Sequence, residues 1–144
     1  MSNDGLIREL HKLQADATVF YQKLRHYHWN VKGRHFFALH GKLEEMYERW
    51  AEVIDDVAEQ VVILGGTPLT TLGAVLRTTS LSEDGEVPAS DEMIRRTVAD
   101  LETLVERFAG IAAGAGDGRS VNLLEGVRDE QQKVLWMLRS LLAT

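Results

Sequence analysis

The residues able to do chemistry in this sequence cluster in one stretch, where His40, Glu44, Asp55 and Glu59 stand at helical spacing. The chain has no cysteine, so imidazole and carboxylate are its only strong side-chain ligands, a set suited to iron, zinc or manganese. His40 with Glu44, and Asp55 with Glu59, are i,i+4 pairs whose side chains converge on a helix, so each pair can hold an ion. At about 100° per residue the four fall within roughly a 100° arc of a helix surface. One chain cannot bring the two pairs onto one ion, because a rise of about 1.5 Å per residue sets their midpoints roughly 22 Å apart. A second copy of the helix can. If two copies pack antiparallel about a two-fold axis near Arg49 and Trp50, His40 and Glu44 of one face Asp55 and Glu59 of the other, twice. Ala51 and Ala58, interleaved with the ligands, let the backbones approach. The competing role for these carboxylates is a solvated helix face. Four residues in phase, as two pairs in mirror order, favour ligation at a subunit contact.

The element that must position them runs from Phe36 to Gly66. Phe36, Leu39, Leu43, Met46, Tyr47, Trp50, Val53, Ile54, Val57, Val61 and Leu64 recur at three- and four-residue steps and form the buried face of an amphipathic helix. A helix over residues 4–31 precedes it, with Leu6, Leu10, Leu13, Ala17, Phe20, Leu24 and Tyr27 on its apolar side, and Gly33 is read as its stop. The short turn before Phe36 makes the two helices antiparallel and carries His28 to the His40 end of the site. Gly65-Gly66-Thr67-Pro68 ends the second helix. Residues 70–79 are expected to form a short helix in a long crossover, followed by the polar run Ser82 to Glu86. Ser90 is read as the N-cap of a third long helix, with Asp91 and Glu92 in its first turn. Gly110, Gly114, Gly116 and Gly118 are read as its end, and a last helix is expected over Ser120 to Leu142.

The composition agrees with this pattern. A chain of 144 residues with two prolines, both in linker-like segments, reads as a single all-α domain over residues 1–144. No apolar run approaches a membrane span, and MSNDGLIREL lacks a basic-then-apolar signal, so a cytoplasmic protein is expected. With 22 acidic and 16 basic residues the net charge is −6, which repels nucleic acid on average and concentrates cations.

Together, His28-Trp29-Asn30-Val31-Lys32-Gly33, Phe36-Phe37, Leu39-His40, Glu44, Asp55, Ala58-Glu59, Leu64-Gly65-Gly66 and Trp136-Met137-Leu138-Arg139 resemble the Dps family, the miniferritins named as DNA-binding proteins from starved cells. The resemblance spans nearly the whole chain, more weakly over residues 80–118. It implies a ferritin-like four-helix bundle with a short extra helix in the crossover between helices 2 and 3, assembled as a hollow dodecamer. It also implies a ferroxidase centre with His28, His40 and Glu44 from one subunit and Asp55 and Glu59 from its two-fold mate. The implied chemistry is oxidation of Fe(II), preferentially by hydrogen peroxide, with storage of ferric iron inside the shell. Trp29, beside His28, is a candidate to lie near the site, against a packing role in the core or an interface. The family lines its ion-entry pores with acidic residues around the start of the last helix. Asn122 stands where aspartate is often found there, which leaves Asp117 and Glu125 as pore candidates beside their alternative role as helix-end charges.

Two further readings compete. An architectural, nucleoid-associated DNA-binding protein would want a lysine-rich arm, whereas the first thirteen residues offer Arg8 and Lys12 against Asp4 and Glu9, so weak or absent DNA binding is expected. A di-iron site inside one subunit would want Glu-x-x-His pairs, and the sequence contains none. His11, His26 and His35 have no ligand partner in phase and are read as surface or packing residues.

Overall fold

The computed structural model describes residues 1–143, and among them every regular element is a helix: α1 (Asn3–Asn30), α2 (Phe36–Ile63), α3 (Leu72–Thr78), α4 (Ser90–Ala115) and α5 (Gly118–Leu142). Short links fold α1 against α2 and α4 against α5, α1 also packs on α4, and α3 lies across α1. The four long helices enclose one apolar core, in which Leu10, Leu13, Leu39, Leu43, Ile94, Leu101 and Leu124 are fully buried. At its centre Trp50 meets the edges of Phe20 and Phe108 at 5.2 and 5.9 Å, and its Nε1–H donates to Gln131 Oε1 at 3.3 Å. The buried stripe on α2 is the one its periodicity announces.

The helix ends differ from the sequence reading in informative ways. α1 stops at Asn30, with Val31 turning the chain into extended backbone, so Gly33 does not cap it. Gly33 instead takes a φ of 68° inside the turn, and its carbonyl accepts from the Phe36 N–H. The N-cap of α4 is Ala89, without a side-chain hydrogen bond, because Ser90 is buried within the first turn. Gly110 and Gly114 lie inside α4, where packing overrides their weak helix propensity; Gly116, at φ 71°, ends the helix and Gly118 begins α5. The crossover helix is shorter than residues 70–79, with Thr71 as its N-cap. The Gly65-Gly66 stop behaves as expected: Gly65 adopts φ 92°, and the N–H groups of Gly65 and Gly66 bond back to the Val62 and Val61 carbonyls.

What holds the crossover to the bundle is a row of buried polar side chains on α1. Gln14 grips Leu69 by both its amide nitrogen and its oxygen, each bond 2.9 Å. Asp16, fully buried, accepts from the Thr79 hydroxyl at 2.7 Å, from the Ser80 N–H at 2.8 Å and from Arg107. Tyr27 donates to Asp84, which Arg96 also holds at 3.1 Å. Burial opposes ionisation of Asp84, but the bonds from Tyr27, the Glu86 N–H and Arg96 outweigh it and hold its carboxyl at about 2. The three other histidines also serve packing: His11 and His26 bond to the Thr67 and Glu86 carbonyls, and His35 faces Asp91. Among the described residues, no helix is long and apolar enough to cross a membrane.

Candidate metal centre

Two rings at the α1–α2 end of the bundle define the first half of the site. His28 comes from the last turn of α1 and His40 from the second turn of α2, and the turn between them folds their rings into a parallel stack with centroids 3.9 Å apart. Each is fixed by the other's backbone. His28 Nδ1 donates to the His40 carbonyl at 2.8 Å, and His40 Nδ1 donates to the His28 carbonyl at 2.9 Å. A carbonyl oxygen only accepts, so both Nδ1 atoms carry the hydrogen and both Nε2 lone pairs are left for a metal. Such a bond behind a ligating imidazole sets its tautomer and ring orientation and raises its basicity. Phe36 stacks on His40 at 5.0 Å, and Tyr47 presents its ring edge-on to His28 at 5.2 Å.

Glu44, one turn beyond His40, brings Oε1 to 3.7 Å from His28 Nε2, with its side chain half exposed. Donor atoms at that separation are too far apart for a hydrogen bond but suit an ion with bonds of about 2.1 Å to each. His28 and Glu44 therefore converge in one chain with His40 stacked beside them, although the three donor atoms do not all lie within 4.8 Å of one another as those of the acidic group below do.

Asp55 and Glu59 converge as well, further along α2, and Asp56 joins them: one carboxylate oxygen from each lies within 4.8 Å of the other two. The hydrogen bond with Asp55 and that residue's negative charge raise the Glu59 carboxyl above its ordinary value, while Arg119 pulls it down. Carboxylates this close repel one another, and a divalent cation between them would relieve the repulsion. Both acidic side chains are exposed on the edge of α2 that also bears exposed Ala51. The one chain leaves the two groups apart, at the spacing the helix rise dictates.

The remaining candidates fall elsewhere. Asp117 is the N-cap of α5: its carboxylate accepts from the Ser120 N–H at 2.9 Å and hydroxyl at 2.7 Å, bonds that lower its pKa, and from Gln60 at 3.2 Å. Glu125 is exposed on α5. Trp29 is 58 % exposed, outside the core, with the Arg25 guanidinium 4.9 Å over its ring.

Two features were not read from sequence. Asp56 is i,i+3 to Glu59, so its convergence was available from spacing alone. Gln60 is buried and donates to Ser120 and Asp117 while accepting from Arg119 at 3.1 Å, tying α2 beside Glu59 to α5. No local pattern announces that contact between distant segments.

Comparison with known proteins shows what the chain as a whole is similar to. Residues 7–144 match the ferritin-like domain family. The chain is 38 % identical over 143 residues to DNA protection during starvation protein 2 of Bacillus anthracis, which covers 97 % of this chain and 98 % of that one. A crystal structure of a Dps protein from Bacillus brevis superposes with a TM-score of 0.92 at 33 % identity, covering 99 % of both chains. A Vibrio cholerae Dps structure, described as belonging to a broad superfamily of ferritin-like diiron-carboxylate proteins, gives 0.91 at 30 % identity, covering 96 % of this chain and 89 % of that one.

Proposed function

This chain belongs to the Dps family of ferritin-like proteins, and on that premise we propose that it is a ferroxidase and iron store, oxidising Fe(II) and holding the ferric product inside a dodecameric shell. The observation that carries the reading is the stacked His28–His40 pair, whose reciprocal Nδ1–H bonds leave both Nε2 lone pairs available to a metal, that of His28 beside Glu44. Iron is substrate here. Imidazole and carboxylate with open positions bind the ferrous ion, and hard oxygen donors favour its ferric product.

The site is completed across a two-fold contact, with Asp55 and Glu59 of one subunit facing His28, His40 and Glu44 of its mate. The exposed edge of α2 and the exposed apolar side chains of Trp29, Val62, Ile63, Leu72 and Leu76 offer surface that a subunit contact would cover. Asp117 and Glu125 are the proposed acidic residues of the ion-entry pores, Asp117 combining that with its capping role. Peroxide as preferred oxidant follows from the family resemblance. Consuming Fe(II) and peroxide together removes the two reactants that generate hydroxyl radical, which protects DNA without contact.

Stopped-flow absorbance tests this directly. Ferrous iron added anaerobically to the assembled protein and mixed with peroxide should give ferric absorbance faster than the same mixing with air. Equal rates with and without protein would overturn the ferroxidase reading, and a faster reaction with air would overturn the oxidant preference.

Contact with DNA is expected to be weak. Duplex binding comes mainly from lysine and arginine neutralising phosphates, and a shell of subunits each carrying −6 has an averaged field that repels them. In a gel-shift titration of metal-free protein at about 150 mM salt, no saturable retardation should appear below micromolar protein. Retardation there would reveal a basic patch formed at a subunit junction and revive the nucleoid-associated reading.

A further inference from the structure

The acidic half of the site shares its cavity with a single positive charge. Arg119, in the first turn of α5, donates from Nε to Gln60 Oε1 at 3.1 Å, its one hydrogen bond among the described residues. Gln60 is buried and anchored to Ser120 and Asp117 at 2.9 and 3.2 Å, so the guanidinium is tethered to the residue that follows Glu59 on α2. An open cavity of about 670 Å³ lies there, with Asp56, Glu59, Gln60 and Asn122 in its lining, and Arg119 is the one cation among its lining residues. Because its hydrogen bond goes to a neutral amide, the Arg119 charge acts on the carboxylates across the cavity. It opposes the rise that the hydrogen bond and charge of Asp55 impose on the Glu59 carboxyl.

Three convergent carboxylates suit Mg(II) and Ca(II), hard ions that take oxygen ligands alone, as well as Fe(II). A fixed cation nearby weakens every divalent ion at those carboxylates by the same Coulomb term. That term decides occupancy: an ion held weakly through oxygen alone falls below filling, whereas one that also gains nitrogen donors stays bound. We propose that Arg119 is a specificity-determining residue of the ferrous site, its charge keeping oxygen-only ions off Asp55, Asp56 and Glu59. The half-site then fills when the ion is also held by the His28 and His40 imidazoles of the facing subunit. This rests on the ferroxidase reading above and on its completion across the two-fold contact.

The competing role for Arg119 is a strut that holds α2 to α5. Gln60 keeps its bonds to Ser120 and Asp117 without the guanidinium, so that strut is redundant. A strut would depend on the Nε bond, whereas a counter-charge depends only on the charge, and a lysine at this position separates the two.

The test titrates assembled, metal-free, full-length protein with Mn(II), read as loss of the free-ion EPR signal. Arg119→Gln should bind Mn(II) on the order of 3- to 10-fold more tightly than wild type. Mg(II) at a concentration that leaves wild-type Mn(II) binding untouched should weaken that of Arg119→Gln. Arg119→Lys should match wild type in both measurements. The gain should shrink when Glu59→Gln is present in both proteins compared, and again at about 1 M salt, where screening reaches within about 3 Å. Unchanged Mn(II) affinity in Arg119→Gln overturns the proposal, and so does an equal change in Arg119→Gln and Arg119→Lys, which would expose a strut. Ferric absorbance from the same wild-type preparation mixed with Fe(II) and peroxide separates the two ideas. Ferric product alongside an unchanged Mn(II) affinity in Arg119→Gln overturns the Arg119 role alone, whereas no ferric product from wild type overturns the ferroxidase reading and this inference with it.

Discussion

Co-expressed His28→Ala and Glu59→Gln subunits should recover fast Fe(II) oxidation that neither variant shows alone. Each substitution removes a proposed ligand without touching the apolar core, so the shell should assemble in both. His28 is on the stacked pair and Glu59 is exposed on the far part of α2. Loss of a residue that merely supports a ligand costs about 10- to 100-fold, so loss of the ligand itself should cost at least about 100-fold. In a two-fold pair of unlike subunits, one of the two sites collects both substitutions and the other collects neither. Random pairing makes half the pairs unlike, so roughly a quarter of wild-type sites should be intact. Stopped-flow absorbance on protein of confirmed assembly size reads this fraction. No recovery in mixed, assembled protein would mean that the halves do not meet across subunits, and undiminished oxidation in Glu59→Gln alone would move the chemistry elsewhere on the chain.

Asp16→Ala should lower stability more than any other single change among the side chains of α1 that hold the crossover. The carboxylate is fully buried and takes hydrogen bonds from Thr79, the Ser80 backbone and hydroxyl, and Arg107. Removing it leaves the Thr79 hydroxyl and the Ser80 N–H and hydroxyl without their partner, and because Thr79 is half-buried and Ser80 exposed, water offsets part of the loss and the cost lies at the low end of about 1–3 kcal/mol. The Arg107 side chain is 36 % exposed, so water screens much of its loss and only a fraction of a buried-pair penalty applies. A total of about 2 kcal/mol corresponds to a melting point lower by roughly 4–8 °C for a chain of this size. Differential scanning calorimetry measures the shift, and limited proteolysis should show new cleavage in residues 79–86, where the strap is released. A melting point unchanged from wild type would show that the loop is held by something other than Asp16.

The sequence by itself determined the long helices and the phase of the ligands, because both depend on geometry within a few residues. The apolar stripe of α2, the Gly65-Gly66 stop and the i,i+4 pairs are consequences of 3.6 residues per turn and of glycine's freedom at positive φ, and they hold whatever surrounds the helix. Caps were less legible. Ser90 has the right side chain for an N-cap, yet packing of α4 draws it into the first turn and leaves Ala89 at the boundary.

The tertiary structure alone decided what depends on the register between helices. It stacks His28 on His40 with each Nδ1 on the other's carbonyl, an arrangement that spacing along either helix leaves undetermined. It sets Tyr47 against His28, and it turns Gln14, Asp16 and Tyr27, ordinary residues in an amphipathic pattern, into the clasps of the crossover. The physical reason is common to all of these. A buried polar group must find a partner, and which partner comes within about 3 Å is fixed by how two helices slide and rotate against each other, a quantity that local periodicity does not encode.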